Sequence, residues 1–174
     1  SSRSGILVDF GEDEYGFAHR ALQDRLAADY IVDERLTKML LKHADKDEWR
    51  EVILIAIGLV TKDLRTELLE ALLANRDESA ASLAMAGSAL AEGIQVEPAL
   101  RAKVTDQLIT HLGAAKTSSE FGVLSGSLFD ADPAAAQTWI GSVLSGHNVD
   151  LQKRVLTSLI PDLGLEQSKP FLLT

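Results

Sequence analysis

Short runs of regularly spaced apolar residues constrain the fold of this chain more than any other feature. From Arg35 onward, apolar side chains recur at three- and four-residue intervals, and polar, glycine or proline breaks interrupt them every dozen to twenty residues. This spacing predicts amphipathic helices joined by short loops. Short paired helices are typical of HEAT-like or armadillo-like solenoids, so we predict an all-α fold, an α-α superhelix of helical repeats. A compact helical bundle is the alternative.

Several helix starts are marked by residues that favour capping positions. A serine, threonine, aspartate or asparagine side chain accepts a hydrogen bond from the first turn, and proline is tolerated at the first helical residue. The predicted starts are Asp45 or Asp47, Pro98, the capping box 117–120, the pair Asp132 and Pro133, and Asn148 or Asp150. The helices are therefore expected to have defined beginnings.

Two segments carry expectations about burial. Residues 49–60 are apolar almost all round, so this helix is predicted to be the most buried in the chain. Residues 80–91 present a seam of alanine, glycine and serine, which predicts the close approach of a second helix. Trp49 and Trp139 are each spaced with aliphatic neighbours and are expected to be core anchors.

The first thirty or so residues carry a different pattern. Two strand-like runs, 5–10 and 15–17, are separated by the polar connection 11–14, which has the length of a hairpin turn. A short N-terminal β-hairpin should therefore lead into the first helix, and a two-stranded hairpin needs another element to lie against. The apolar residues expected on the buried face of this helix are Phe17, Ala21 or Leu22, Leu26, and Tyr30 or Ile31.

Composition argues against several classes of function. The 174 residues are 46% hydrophobic, which is enough for a sizeable core, and they include no cysteine, so disulfides and thiolate sites are excluded. The formal net charge of −9 argues against nonspecific nucleic-acid binding. No run approaches the roughly 20 apolar residues of a membrane span. We expect a cytoplasmic protein without nucleic-acid or membrane partners.

Residues 17–30 give a more specific indication. They read Phe-x-His-Arg-x-Leu-Gln-Asp-x-Leu-Ala-Ala-x-Tyr, after a strand and an acidic turn. This pattern resembles the end of the winged-helix domain in NACHT-type signal-transduction NTPases, the STAND class that includes relatives of NLR immune receptors. The usual family form is Phe-x-His-x-x-Phe-Gln-Glu-Tyr/Phe-Leu-Ala-Ala, from which this chain departs at Leu22, Asp24 and Arg25. Residues 47–54 are similar to the tryptophan-bearing helix that opens the repeats of many bacterial members.

The resemblance implies two domains and a regulatory role. Residues 1–33 would end the winged-helix domain, as a wing hairpin with its closing helix, and 34–174 would form the helical-repeat region. The parent would be an ATP/ADP-switched sensor that uses Mg and oligomerises on recognising a ligand; bacterial members include defence proteins. This chain would be a non-catalytic part without a cofactor of its own, its repeats serving ligand sensing, autoinhibition and protein interaction. Its partner would be the parent's upstream nucleotide-binding domain or an unknown protein ligand.

The same resemblance identifies candidate site residues. His19 matches the winged-helix histidine that contacts the β-phosphate of bound ADP, and an imidazole suits that role because it donates a hydrogen bond. The alternative is a histidine bonded to neighbouring backbone at a helix start. Phe17, Gln23 and Asp24 are candidates for a domain interface, and Gln23 and Asp24 would otherwise lie on the solvated or domain-facing side of the helix.

No other motif predicts catalysis. His43, Asp45 and Asp47 are spaced as conceivable metal ligands, but they lie at a helix end where capping explains them, so we predict no metal site. His111 falls in a last helical turn and His147 in a Gly-His-Asn turn. The sequence contains no glycine-rich phosphate loop and no hydrolase motif. A free-standing HEAT-like protein-binding scaffold is the main alternative function, and an enzyme with a site of scattered Asp, His and Ser is the third.

Overall fold

The chain is all-α with a short N-terminal β-hairpin, as the sequence predicts. The computed structural model describes residues 7–11, 14–17, 19–74 and 80–160. The described elements are β1 (Leu7–Gly11), β2 (Glu14–Phe17), α1 (Arg20–Asp33), α2 (Thr37–Lys42), α3 (Arg50–Leu59), α4 (Lys62–Ala74), α5 (Ala80–Ala91), α6 (Pro98–Ala114), α7 (Ser118–Ala131), α8 (Pro133–Leu144) and α9 (Val149–Arg154). A 3-10 turn (Asp47–Trp49) precedes α3, and a π-helical turn (Val155–Leu159) continues α9.

The chain divides into two compact units, and the division falls within α4, after Leu68. The predicted domain boundary after residue 33 stays a prediction. The hairpin connection at 12–13, the break predicted at 75–78 and the predicted terminal helix or tail at 165–174 lie outside the described residues.

The first unit begins with the hairpin. β1 pairs antiparallel with β2, with Leu7 opposite Phe17 and Val8 opposite Gly16, and the register shifts between Asp9 and Gly11. β2 contacts α1 directly. The hairpin therefore leads into α1 and contacts it where the two elements adjoin.

Helix α1 packs on α3 through a face that differs from the predicted one. Its buried residues are Asp24, Ala28 and Ile31, whereas Leu26 is 45% exposed and Tyr30 is 60% exposed. Ala28 lies on the α3 side, and residues two positions away point about 200° around the helix from it. Placing Leu26 on the buried stripe is therefore wrong. Of the predicted alternatives Tyr30 and Ile31, Ile31 is the buried one.

Helix α3 buries Val52, Ile53 and Ile57 but begins differently from the prediction. A 3-10 turn at residues 47–49 leads directly into the helix, so Trp49 is its N-cap residue. Trp49 makes no side-chain cap hydrogen bond. The expectation that Asp45 or Asp47 caps this helix is therefore wrong. The structure places both aspartates before the first α-helical residue, Arg50.

The second unit is built around α5. Nine consecutive residues, 82–90, are buried in this helix, so the prediction that the helix at 49–60 is the most buried is wrong. Helix α5 packs most extensively on α7, and α6 contacts α8 as well as α7. Helices two apart in the chain are thus neighbours, which is the arrangement of a two-layer helical repeat.

The small-residue seam of α5 has the predicted effect. A Cβ at Gly87 would lie 3.1 Å from the Leu108 side chain and 3.1 Å from Cβ of Ser127. These separations are shorter than ordinary van der Waals contacts, so a side chain at position 87 would push neighbouring atoms of α6 and α7 by a few tenths of an ångström. The expectation of close helix approach at 80–91 is confirmed.

The predicted helix starts of the second unit are confirmed. Pro98 is the first residue of α6. The Thr117 side chain accepts a hydrogen bond from the Glu120 backbone N–H at 3.1 Å. The side chains of Asp132 and Asn148 each accept one at 3.0 Å from the backbone N–H three residues later in the chain. These bonds satisfy backbone donors that have no partner within their own helix.

Arginine side chains cap several helix ends from other helices. Arg65 of α4 donates to the backbone oxygens of Ile57 and Val60 at the end of α3. Arg101 of α6 donates to the last carbonyl of α7, and Arg154 of α9 donates to the Ala115 carbonyl that ends α6. A guanidinium suits these positions because helix ends carry unpaired carbonyls and partial negative charge.

Across the described segments, no helix has both the length and the apolar character that crossing a bilayer requires.

Candidate functional site

A cleft in the first unit brings together most of the predicted site residues. It lies between the start of α1 and the turn that leads into α3, and its volume is about 480 Å³. We name it the α1–α3 cleft. Its lining residues are Phe17, Arg20, Gln23, Asp24, Ala27, Glu48, Trp49 and Val52. The predicted interface candidates Phe17, Gln23 and Asp24 therefore share one surface.

The most buried polar group of the cleft is the carboxylate of Asp24. Its side chain is only 10% exposed, so of the two alternatives, a solvated or a domain-facing Asp24, the solvated one is wrong; Gln23 is exposed. Asp24 is buried because it lies with Ala28 and Ile31 on the buried face of α1, which packs on α3. Within the described chain, Asp24 has one contact with a charged group, a distance of 3.7 Å between its Oδ2 and Nε of Arg20.

Arg20 spans the mouth of the cleft without binding tightly to either side. Its side chain is 68% exposed, and its Nη2 lies 3.5 Å from the backbone oxygen of Glu48. Hydrogen bonds between an ionised donor and a carboxylate are typically about 2.7–2.9 Å long. The 3.7 Å contact with Asp24 is longer than this, and the 3.5 Å contact is made to a backbone carbonyl, so neither contact of Arg20 is a close one.

Two aromatic side chains form walls of the cleft. Phe17 is half-buried at the end of β2, and Trp49 is half-buried in the turn before α3. The Trp49 ring stacks on His43, with centroids 4.2 Å apart and planes at 19°. Trp139 is buried against Phe121 as a core anchor, as predicted. The same prediction for Trp49 is only partly right, because part of its surface faces the cleft.

His19 stands beside the cleft but does not line it. It occupies the N-cap position of α1 with extended backbone angles, and its backbone oxygen accepts hydrogen bonds from Leu22 and Gln23. The imidazole is exposed and forms no cap hydrogen bond. The backbone of His19 therefore starts the helix while its side chain takes no part in capping.

The remaining histidines occupy structural or exposed positions. Nδ1 of His43 is buried and has no hydrogen-bond partner within the described residues, and the ring packs on Trp49. His111 shares a 2.9 Å hydrogen bond with the Gln107 carbonyl, and His147 is exposed. Over the described ranges, no group of three His, Cys, Asp or Glu side chains could hold a metal ion.

Sequence reasoning missed five of the eight lining residues, which are Arg20, Ala27, Glu48, Trp49 and Val52. Arg20 and Asp24 have the four-residue spacing of a helical ion pair, which was a readable signal. Glu48 and Trp49 come from a segment more than twenty residues away, and their position depends on how α1 packs on α3. Only the packed unit shows that they belong to the same site.

Comparison with known proteins adds no family assignment, since no family model, curated protein or solved structure gives a significant match to the chain.

Proposed function

We propose that this chain is the non-catalytic regulatory part of an ATP/ADP-switched NACHT-type NTPase. In this proposal the hairpin and α1 close the winged-helix domain of the parent. The helical repeats that follow serve ligand sensing, autoinhibition and protein interaction. Support comes from the order of elements, because a β-hairpin leads directly into a helix that carries the Phe-x-His pattern and helical repeats follow.

The observation that carries the proposal is the state of His19. N-cap positions favour Ser, Thr, Asp or Asn because their side chains satisfy a free backbone N–H. His19 occupies such a position without making that bond, and its ring is exposed. Residues that break a local structural preference without an evident gain in stability are expected at functional sites. An exposed histidine beside an aromatic-walled cleft fits a contact made to another domain.

The imidazole of His19 can donate one hydrogen bond to a nucleotide whose main binding site is formed by another domain of the parent. A ring nitrogen donates one hydrogen bond, and this chain contains no glycine-rich loop that would surround a phosphate. ADP with Mg would supply a bound phosphate oxygen as the acceptor. His19 would hold the resting state closed by donating to it, while the helix keeps the ring at the domain edge.

The first test is to read the coding sequence upstream of this chain and then to mutate His19 in the encoded protein. We expect an in-frame Gly-x-x-x-x-Gly-Lys-Ser/Thr loop. A hydrogen bond to a charged group contributes about 1.5–3 kcal/mol, so His19→Ala should speed ADP release roughly tenfold to a hundredfold. His147→Ala, which removes an exposed histidine of the second unit, is the control. Equal ADP release from His19→Ala and the parent would contradict the proposal.

The second candidate function is a free-standing HEAT-like scaffold that binds a protein. The two-layer arrangement of α5 to α8 favours it, since stacked helix pairs create extended binding surfaces. Amide hydrogen exchange separates the two functions. A scaffold should protect the β1–β2 amides about as well as α1, whereas the excised end of a larger domain should exchange them rapidly.

A further inference from the structure

The carboxylate of Asp24 has acceptor capacity that the described chain does not use. An ionised carboxylate offers about four lone-pair sites. Among the described residues, the ion pair of Asp24 is with Arg20, whose Nε lies 3.7 Å from Oδ2, beyond hydrogen-bond distance. Burying a charge is costly unless it is paired and hydrogen-bonded. A cationic group with good geometry would therefore be favoured at this position.

The walls of the cleft narrow the choice of cation. Phe17 and Trp49 line it together with Asp24, and Glu48 adds a second acidic residue at the exposed edge. Aromatic faces attract cations, and the planar guanidinium of arginine both stacks on aromatic rings and binds a carboxylate through two parallel hydrogen bonds. A lysine ammonium offers a point charge without the planar fork.

We propose that the α1–α3 cleft binds an arginine side chain presented by a partner protein, and that Arg20 is the internal occupant it displaces. The volume of about 480 Å³ falls in the range of clefts that enclose drug-sized ligands, so there is room for flanking backbone as well as the side chain. The inference deepens the protein-interaction role proposed above and rests on it for the kind of partner. It does not depend on a nucleotide.

A second arginine and aspartate on α1 provide an internal control. Nε of Arg25 donates to both carboxylate oxygens of Asp29, at 3.1 Å to Oδ1 and 3.0 Å to Oδ2. Both side chains are substantially exposed. The sequence spacing equals that of Arg20 and Asp24. Arg25 and Asp29 do not line the cleft. Variants of this pair therefore change charge on the same helix without changing the site.

The test uses the whole 174-residue chain and a blocked pentapeptide with one arginine between glycines. Binding is followed through the indole N–H signal of Trp49 in heteronuclear NMR titrations. The control ligand replaces arginine by citrulline, a neutral side chain of nearly the same shape. We expect the arginine peptide to bind at least about tenfold more tightly than the citrulline peptide, because citrulline lacks the charge that strengthens the carboxylate bonds.

Variants of the cleft then identify the groups involved. Asp24→Asn should weaken binding about tenfold and Glu48→Gln about threefold, while Arg20→Gln should tighten binding about threefold because it removes the competing guanidinium. Arg25→Gln and Asp29→Asn should leave the affinity unchanged. If Asp24→Asn does not fold, the exposed Glu48→Gln variant and the citrulline peptide decide the question.

Three results would overturn the inference. Equal binding of citrulline and arginine peptides would show that charge is not recognised, and weaker binding by Arg20→Gln would show that Arg20 is part of the site. Free arginine methyl ester binding as tightly as the peptide would exclude a protein segment as the preferred ligand. Unchanged ADP release in the His19→Ala parent would count against the nucleotide parent but would leave these binding results standing.

Discussion

Helices α1 and α5 differ in how much of their surface is buried. Helix α5 buries nine consecutive residues, all small or apolar or serine. Helix α1 buries three residues, one of them an aspartate, and leaves Leu26 and Tyr30 exposed. The difference teaches that residues 82–90 of α5 are buried on every side, whereas α1 packs through one narrow face and leaves large apolar side chains exposed.

Truncating one leucine in each helix should give the largest contrast. Leu90 of α5 is 2% exposed, and Leu90→Ala should cost about 2–5 kcal/mol because it removes buried surface and leaves a cavity. Leu26→Ala in α1 should change the free energy of unfolding by less than about 1 kcal/mol. Urea denaturation followed through the Trp49 signal for the first unit and the Trp139 signal for the second measures both. Equal losses of unfolding free energy in the two variants would contradict the difference in burial between α5 and α1.

Adding a methyl group to two glycines should sharpen the same contrast. Gly87→Ala in α5 should cost about 1–3 kcal/mol, because its new Cβ would press on the Leu108 side chain and on Ser127. A methyl group on Gly122 of α7 would meet no atom of another described element within 4 Å, so Gly122→Ala should gain about 0.5–1 kcal/mol from helix propensity. Thermal denaturation of the two variants measures both. A stabilising Gly87→Ala would mean that α7 gives way easily.

The second unit was the more predictable of the two from sequence. The threonine, aspartate and asparagine caps and the first-turn proline act within a few residues of their own position, so their outcome is readable locally. The small-residue seam of α5 was also readable, because such seams let backbones approach whichever helix lies opposite. The identity of that neighbour, α7, was not.

The first unit was harder to predict because its decisive contacts join distant segments. Periodicity placed Leu26 and either Tyr30 or Ile31 inside, whereas the structure buries Asp24, Ala28 and Ile31 and leaves Leu26 exposed. The cleft depends on this buried face, because Asp24 lines it together with Glu48 and Trp49 of the turn before α3. Apolar residues at helical spacing therefore indicate a helix more securely than they indicate its buried face.

Substituting the N-cap residues should change stability by an intermediate amount, with a loss in the second unit and a gain in the first. Asp132→Ala should cost about 1 kcal/mol, because the backbone N–H of Ala135 loses its acceptor. His19→Asp should stabilise α1 by about 0.5–1 kcal/mol, because the backbone at position 19 already has the extended angles of an N-cap. Helix-resolved hydrogen exchange measures each. A destabilised His19→Asp variant would show that the imidazole already contributes to the fold, which would weaken the functional interpretation of its position.

The smallest effect should come from the two ion pairs of α1. Arg25→Gln should cost about 0.3–0.5 kcal/mol at low salt, because Arg25 and Asp29 form a close but exposed pair. Arg20→Gln should cost no more than that, because Arg20 is 68% exposed and 3.7 Å from Asp24. Urea denaturation at low and high salt measures both, and the Arg25 effect should shrink as salt rises. A loss several times larger for Arg20→Gln would mean that Arg20 is fixed in place. A small loss means that the protein loses little stability when an arginine from a partner displaces Arg20. That low cost is the condition for the cleft to bind such an arginine.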